Sequence, residues 1–443
     1  MSSGIVITAP ASGSGKTVIT LSLLRAIKNA GIEVSSIKIG PDYIDPTYHS
    51  AASGRSCRNL DLWGMTAETL NYQKVRAIQD SNVVVAEGVM GLFDGAAIGL
   101  QLQNTGSTAS AAKWLGWPIV LVVDAMGQGA SVAALVEGFA NHCNDVKIAG
   151  VIFNKIGSQN HERILREALS VTEIPCIGCI PEHDCLHLQH RHLGLIQARE
   201  IAKLEVWLDE AAAIIANSVD LDMLLNFVKS STNSASLKYS TDCLPIPILG
   251  QHTAVAHDDA FAFCYDYVLD AWKAHGVEVT FFSPLSGETI HACADSVYLP
   301  GGYPELYGSA IASNQEFKRT MKIAAANGAV IYGECGGFMV LGESLIDRNG
   351  ESHEMLNLLP IKTSFLNPRL HMGYRKLSLI DTGALGRVGA EFKGHEFHYC
   401  EIVDEGRGDS LFHTQNARGE KLRSSGSKVG SVMGSFSHII DRI

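Results

Sequence analysis

The chain carries no excess of positive charge. Its formal balance is −11, from 35 Lys and Arg against 46 Asp and Glu, which argues against a broad nucleic-acid face and leaves room only for a local basic pocket. No apolar run approaches the ~20 residues that span a bilayer, so no membrane partner is expected. No secretory leader is expected either, since Met1-Ser2-Ser3 passes straight into Ile5-Val6-Ile7, with neither a basic segment nor a cleavage site. The ten cysteines follow no framework spacing, which speaks for a reducing, cytoplasmic setting rather than a disulfide scaffold. There is no internal repeat and no long low-complexity tract.

What is present is a well-buried globular composition, 46% apolar and 18% charged, in 443 residues. That length exceeds one ordinary core and predicts two or three domains. Residues 4–9, Val34–Ile39, Val83–Ala86, Ile119–Val123 and Ile148–Phe153 read as buried strands alternating with helical stretches such as Val18–Ala30. Continuous apolar strands between helices predict a mostly parallel sheet covered on both faces. Ser230 to Ser236 is polar and breaker-rich, the best linker in the chain. A second alternation follows, with strands expected at Ile246–Leu249, Val277–Phe282, Ser296–Leu299 and Val330–Tyr332. The expected organisation is a domain over 1–229, a linker over 230–244 and a domain over 245–443.

Pro10-Ala11-Ser12-Gly13-Ser14-Gly15-Lys16-Thr17 joins the first strand to the first helix. In such a loop backbone N–H groups surround phosphate oxygens, the lysine reaches the terminal phosphates and the threonine hydroxyl ligates magnesium. Proline stands where the usual pattern has its first glycine. A magnesium–ATP site also needs carboxylates. Asp42 and Asp45 lie in Gly40-Pro41-Asp42-Tyr43-Ile44-Asp45-Pro46, where the prolines are expected to exclude helix. Glu87 and Asp94 follow the strand that begins at Val83, at the carboxyl end where α/β sheets bind ligands.

Gly333-Glu334-Cys335-Gly336-Gly337 lies between a strand and an apolar helical stretch. Small neighbours permit the sharp elbow that exposes a nucleophile, and a helix N-terminus is expected to favour the thiolate. The N–H of Gly336 is one oxyanion donor. A second is expected from Leu299 to Glu305, with Gly302 the candidate. His438 is the best-placed base, with His395 and His398 as rivals. Cys176-Ile177-Gly178-Cys179, followed by His183, Cys185, His187, His190 and His192, is suggestive of a metal site but lacks a second close cysteine pair.

Taken in order, these motifs resemble the cobyrinate/hydrogenobyrinate a,c-diamide synthase family of corrin biosynthesis. The resemblance is carried by Pro10–Thr17, Lys38–Pro46, Glu87–Gly95, Arg191–Gly194, Gly301–Tyr307, Glu334–Gly337 and Gly394–Tyr399, so it runs along essentially the whole chain. It implies a P-loop domain similar to dethiobiotin synthetase and a class I glutamine amidotransferase-like α/β domain of the cobyric-acid-synthase type. It implies Cys335 as nucleophile and His438 as base, with no third triad carboxylate obvious. It also implies ATP bound at Gly13, Ser14, Gly15, Lys16 and Thr17, Mg2+ near Thr17, Asp42 and Glu87, and substrate near Lys38, Asp45 and Asp94. Hydrogenobyrinate or cobyrinate, L-glutamine and ATP are the implied partners, with a homodimer left open. Arg55, Arg58 and Arg191 join Lys38 as candidate cations for a polyanionic macrocycle. Alternatives are a nickel-sirohydrochlorin a,c-diamide synthase, a cobyric acid synthase, or a P-loop switch protein with an inactive amidotransferase-like domain.

Overall fold

The computed structural model describes residues 3–79, 81–96, 105–191, 194–230 and 243–443. Most of the expected linker, 231–242, lies outside the described residues. Two compact units result: Met1–Trp63 with Leu70–Tyr239, and Gly64–Thr69 with Ser240–Ile443. The short segment Gly64–Thr69 belongs to the second unit through Thr66, whose N–H and hydroxyl both donate to Asp441 Oδ2 at 2.7 and 2.9 Å.

The first unit is built on seven strands: β1 (Ser3–Thr8), β2 (Val34–Ile39), β3 (Arg58–Leu60), β4 (Val83–Glu87), β5 (Ile119–Asp124), β6 (Ile148–Ile156) and β7 (Cys176–Pro181). They pair in the order β3-β2-β4-β1-β5-β6-β7, all parallel. Ile5, Val6 and Ile7 of β1 and Ile119 to Val123 of β5 are fully buried, because helices cover both faces of a parallel sheet. β1 is central, between β4 and β5, so the turn that follows it opens at the carboxyl edge where neighbouring connections diverge. That turn leads into α1 (Lys16–Asn29). The helix α2 (Asp45–Ser53) follows β2 and carries Pro46 in its first turn. Helix therefore begins inside the segment from which the prolines are expected to exclude it. Proline is tolerated at this end because its missing N–H would have had no intrahelical partner.

The second unit has a six-stranded sheet in the order Glu278–Phe282, His252–Ala256, Ser296–Leu299, Val330–Glu334, Val432–Ser435 and Ser427–Val429. The first five are parallel and the last is antiparallel. The strand expected at Ile246–Leu249 is absent, and His252–Ala256 takes its place. Ile246 is nonetheless buried, and its carbonyl accepts from Trp272 Nε1 at 2.9 Å. Pro245 and Pro247 cannot donate to a ladder, so this apolar segment packs without pairing. An antiparallel sheet in the order Phe412–Asn416, His371–Leu379, Glu391–His398 and His438–Arg442 supplies the last strand, on which His438 is the first residue. Among the described residues no helix is long and apolar enough to cross a membrane.

Candidate active sites

The loop from β1 to α1 holds Gly13 and Gly15 at φ +82° and +91°, conformations that glycine adopts without strain. A side chain on Gly15 would meet Asn154 Nδ2 at 2.3 Å. That same amide donates to the Ser14 carbonyl at 3.0 Å, so Asn154 of β6 braces the loop from outside. Ser14 Oγ and Lys16 Nζ both donate to the Ala11 carbonyl, at 2.9 and 3.3 Å. Burial lowers the affinity of Lys16 for its proton, with Lys38 adding repulsion against the attraction of Glu87, Asp45 and Asp94.

Beneath the loop lies a buried polar set. Lys38 and Glu87 are register partners across β2 and β4. Lys38 Nζ donates to Asp45 Oδ2 at 2.5 Å and to Glu87 Oε1 at 2.9 Å. Thr17 Oγ1 donates to Glu87 Oε1 at 2.6 Å and lies 3.5 Å from Asp45 Oδ2. His49, one turn along α2 from Asp45, sets Nε2 2.6 Å from Glu87 Oε2 and Nδ1 2.6 Å from the Asp45 carbonyl. Burial would neutralise Glu87, but Lys38 and His49 outweigh it and hold the carboxyl well below its usual range. Burial likewise opposes the charge on Lys38, and Asp45 and Glu87 reverse that effect. Lys38 and Glu87 therefore hold each other in their charged forms.

Sequence reasoning placed Asp42 at the metal and Asp45 at the substrate. In the structure Asp45 takes the position beside Thr17. Asp42 Oδ1 instead accepts the N–H groups of Ile44 and Asp45, at 2.8 and 3.0 Å, and burial pushes its carboxyl up to about 6. Asp94 is exposed at the lip of the site, and its Oδ2 accepts from the Gly91 N–H at 2.9 Å. His49 and Asn154 were missed; the only local signal for His49 was its helical spacing from Asp45. Of the other candidate cations, Arg191 forks onto Glu200 at 2.9 and 2.7 Å, Arg55 reaches Glu33 at 3.2 Å and Arg58 is buried.

In the second unit the strand Val330–Glu334 ends in Cys335 at φ +47° and ψ −105°, and the helix Gly336–Leu341 follows. A non-glycine residue at positive φ costs about 1–3 kcal/mol and persists where its surroundings over-determine it. Here the Cys335 N–H donates to the Ser435 carbonyl at 2.8 Å and its carbonyl accepts from Met339 at 3.0 Å. The thiol is 1% exposed and lies within the hydrophobic core of its unit. Burial pushes it well above the usual thiol range, which corrects the expectation of a helix-stabilised thiolate. A six-residue helix offers too small a field to offset desolvation.

Cys335 and His438 meet at Gly301. A methyl group there would lie 2.4 Å from His438 Cε1, 3.0 Å from Nε2 and 3.2 Å from Cys335 Cβ. The Gly302 N–H is adjacent to the elbow, 2.9 Å from where a Cβ on Gly336 would sit, so the two expected oxyanion donors are neighbours. Burial, with His395 and His398 adding to it, pushes His438 down to about 3. The imidazole is therefore neutral. The rivals are engaged elsewhere: His398 Nδ1 contacts the Cys400 carbonyl at 3.1 Å and its ring stacks on Phe436 at 4.0 Å, while His395 lies edge-on to Tyr374 at 5.5 Å. Gly301→Ala is expected to displace the imidazole and lower glutaminase kcat about 100-fold, with an unchanged circular dichroism spectrum. Wild-type turnover in that variant would separate Gly301 from the reaction.

Cys176 and Cys179 lie on β7, where a register shift against β6 leaves their sulfurs 3.7 Å apart. His183 Nδ1 accepts the Cys185 N–H, and His192 lies outside the described residues. The group of three convergent metal-binding side chains found among the described residues is a different one, Asp347, Glu351 and His353. There Asp347 Oδ1 accepts the N–H groups of Asn349 and Glu351, which is the work of a turn.

A phosphate loop over a buried acid–lysine set in one unit, and an elbow cysteine beside a neutral histidine in the other, define a nucleotide-binding, glutamine-hydrolysing carbon–nitrogen ligase. Known proteins agree. Residues 5–195 match the CobQ/CobB/MinD/ParA nucleotide binding domain, and residues 252–442 match the CobB/CobQ-like glutamine amidotransferase domain. The chain is 47% identical to the hydrogenobyrinate a,c-diamide synthase of Brucella anthropi, over 99% of this chain and 98% of that one. It is 45% identical to that of Rhizobium meliloti, over 99% of both, and 42% identical to that of Mesorhizobium japonicum, over 99% and 98%. The chain belongs to the hydrogenobyrinate a,c-diamide synthase family.

Proposed function

We propose that this enzyme converts the a and c acetate carboxylates of hydrogenobyrinate to amides, taking nitrogen from glutamine and energy from ATP, in cobalamin biosynthesis. The observation that carries this is the joint presence of Cys335 against His438 at Gly301 and of Thr17 against Glu87 under a phosphate loop. The full-length identity to relatives of that name supports the acceptor.

In the second unit Cys335 Sγ attacks the glutamine γ-carbonyl carbon while its proton passes to His438. The N–H groups of Gly302 and Gly336 receive the oxyanion. His438 returns the proton to the departing nitrogen, releasing ammonia, and water then cleaves the thioester to glutamate and restores the thiol. In the first unit an acetate oxygen attacks the γ-phosphorus of ATP, ADP leaves, and ammonia displaces phosphate from the acyl phosphate. A carboxylate is otherwise a poor acyl donor. Gly13 to Thr17 cradle the phosphates, and Lys16 pairs with their charge. Thr17 Oγ1, Glu87 Oε1 and Asp45 Oδ2 are a hard oxygen set that suits Mg2+, which when bound would screen phosphate charge. Lys38 and Asp94 are assigned to the substrate side. Neither nucleic acid nor membrane enters the reaction, and ten free cysteines fit a reducing cytoplasm.

Mass spectrometry of products from hydrogenobyrinate and, separately, cobyrinate, each with ATP, magnesium and glutamine, tests the assignment. Two acid-to-amide conversions of hydrogenobyrinate are expected. Turnover of cobyrinate alone would reassign the acceptor, and no nucleotide consumption with either would end the proposal.

A further inference from the structure

Neither the motifs nor the family resemblance supplied a carboxylate for His438, yet one lies beside it. Glu334, the residue before the nucleophile, sets Oε2 3.8 Å from His438 Nδ1, and both side chains are about 1% exposed. Three donors fix this carboxylate. Tyr298 Oη donates to Oε2 at 2.7 Å. Tyr332 Oη and the Ile439 N–H donate to Oε1 at 3.0 and 2.9 Å. The last of these belongs to the residue that follows His438, so acid and imidazole are tied to one point of the strand His438–Arg442.

We propose that Glu334 is the positioning residue of the glutaminase, holding the His438 proton on Nδ1 so that Nε2 presents its lone pair to Cys335. The inference rests on His438 being the base. The chemistry requires such a group, because a neutral imidazole has two tautomers and only one leaves Nε2 free to accept. When the thiol proton arrives on Nε2, a positive ring forms in a site that water does not reach. Burial pushes the Glu334 carboxyl up to about 7 against its three donors, so in the upper part of the neutral range a carboxylate lies across from Nδ1 and compensates that charge where screening is weakest. The 3.8 Å separation exceeds a hydrogen bond, and contacts of this kind tighten when substrate is bound. Strand geometry explains the placement. Alternate strand residues face opposite sides of a sheet, and Glu334 is the last residue of its strand, paired with Ser435, immediately before Phe436-Ser437-His438 turns into the next sheet. The titratable groups facing Glu334 are Tyr298, Tyr332, Cys264, Cys335 and His438; those facing His438 are His395, His398 and Glu334.

The test compares Glu334→Gln, Tyr298→Phe and His438→Ala in the full-length enzyme, measuring glutamine-dependent and ammonia-dependent amidation. For Glu334→Gln, glutamine-dependent kcat is expected to fall about 10²–10⁴-fold, as for other lost imidazole partners. KM for glutamine and the ammonia-dependent rate are expected to stay within about twofold. Nitrogen-15 NMR of labelled histidine is expected to move one resonance from the Nδ1–H to the Nε2–H pattern. Tyr298→Phe, which keeps the acid and removes one donor to its ionised form, covers the case in which the glutamine variant does not fold. It is expected to raise the acid's proton affinity, so the acid limb of the pH–rate profile moves to higher pH. A purely structural Glu334 would lower stability and leave tautomer, kcat and acid limb as in wild type, which overturns the inference. Glutaminase activity surviving in His438→Ala would instead overturn the assignment of the base beneath it.

Discussion

Cys335→Ala is expected to lose glutamine-supported amidation by about 10⁴-fold or more while ammonium salts still support product. The thiol is the one atom the substitution removes. Alanine keeps the Cβ that touches Gly301, and the backbone bond from Cys335 N–H to Ser435 remains. With no sulfur, no γ-glutamyl thioester forms and no nitrogen leaves glutamine. The phosphate loop and its acids are untouched, so activation of the acceptor carboxylate proceeds and external ammonia completes it. The rescued rate should climb with pH, because ammonium gives way to the free base that attacks the acyl phosphate. Product quantified by chromatography with each nitrogen donor checks this. Equal loss with both donors would refute the division of labour between the two units.

The second large effect is expected for Lys16→Ala: ATP-dependent product should fall at least about 10³-fold, as when preorganised charge at a transferring phosphoryl group is removed. Lys16 is 8% exposed, and its neighbours are Glu87, Asp45 and Asp94 against Lys38. Its removal takes away a positive charge that faces Glu87, Asp45 and Asp94, so the charge facing a triphosphate becomes more repulsive. The thiol should keep its reactivity toward an electrophilic glutamine analogue, read as stoichiometric labelling of Cys335 by mass spectrometry. Unchanged product formation would mean that the loop does not serve the nucleotide.

His49→Asn carries a smaller expectation. It removes the partner of Glu87 Oε2 and leaves Lys38 and Thr17 on Oε1. A buried carboxylate that loses a partner costs about 1–3 kcal/mol, which thermal denaturation would read as a lowered Tm. The proton affinity of His49 is raised in the folded protein, because Glu87 overcomes burial. Its contribution to stability is therefore complete below the ordinary histidine pKa and declines as pH rises through the folded value. The Tm difference between wild type and variant should shrink as pH is raised.

Much of this was legible in the chain because the signals are contiguous. The strand–loop–helix around Lys16 and the elbow around Cys335 each occupy about a dozen neighbouring residues, and local backbone preference enforces both. The parallel sheets followed from unbroken apolar strands such as Ile119–Val123. Ile246–Leu249 misled for a local reason as well: its apolar pattern fits a strand, and Pro245 and Pro247 deny it a ladder. The state of the thiol was misread because a short helix was weighed without the burial around it.

The order of residues along the chain determined which chemical groups exist and which turns present them: a lysine behind a glycine loop, a sulfur on a strained elbow. Folding alone decided which groups answer them. Glu87 reaches Thr17 across 70 residues, Asn154 steadies Ser14 across 140, and the Ile439 N–H meets Glu334 across 105. Such meetings arise from sheet order and desolvation, which sum over the whole core, whereas a loop or an elbow is set by the dihedral preferences of the few residues that form it.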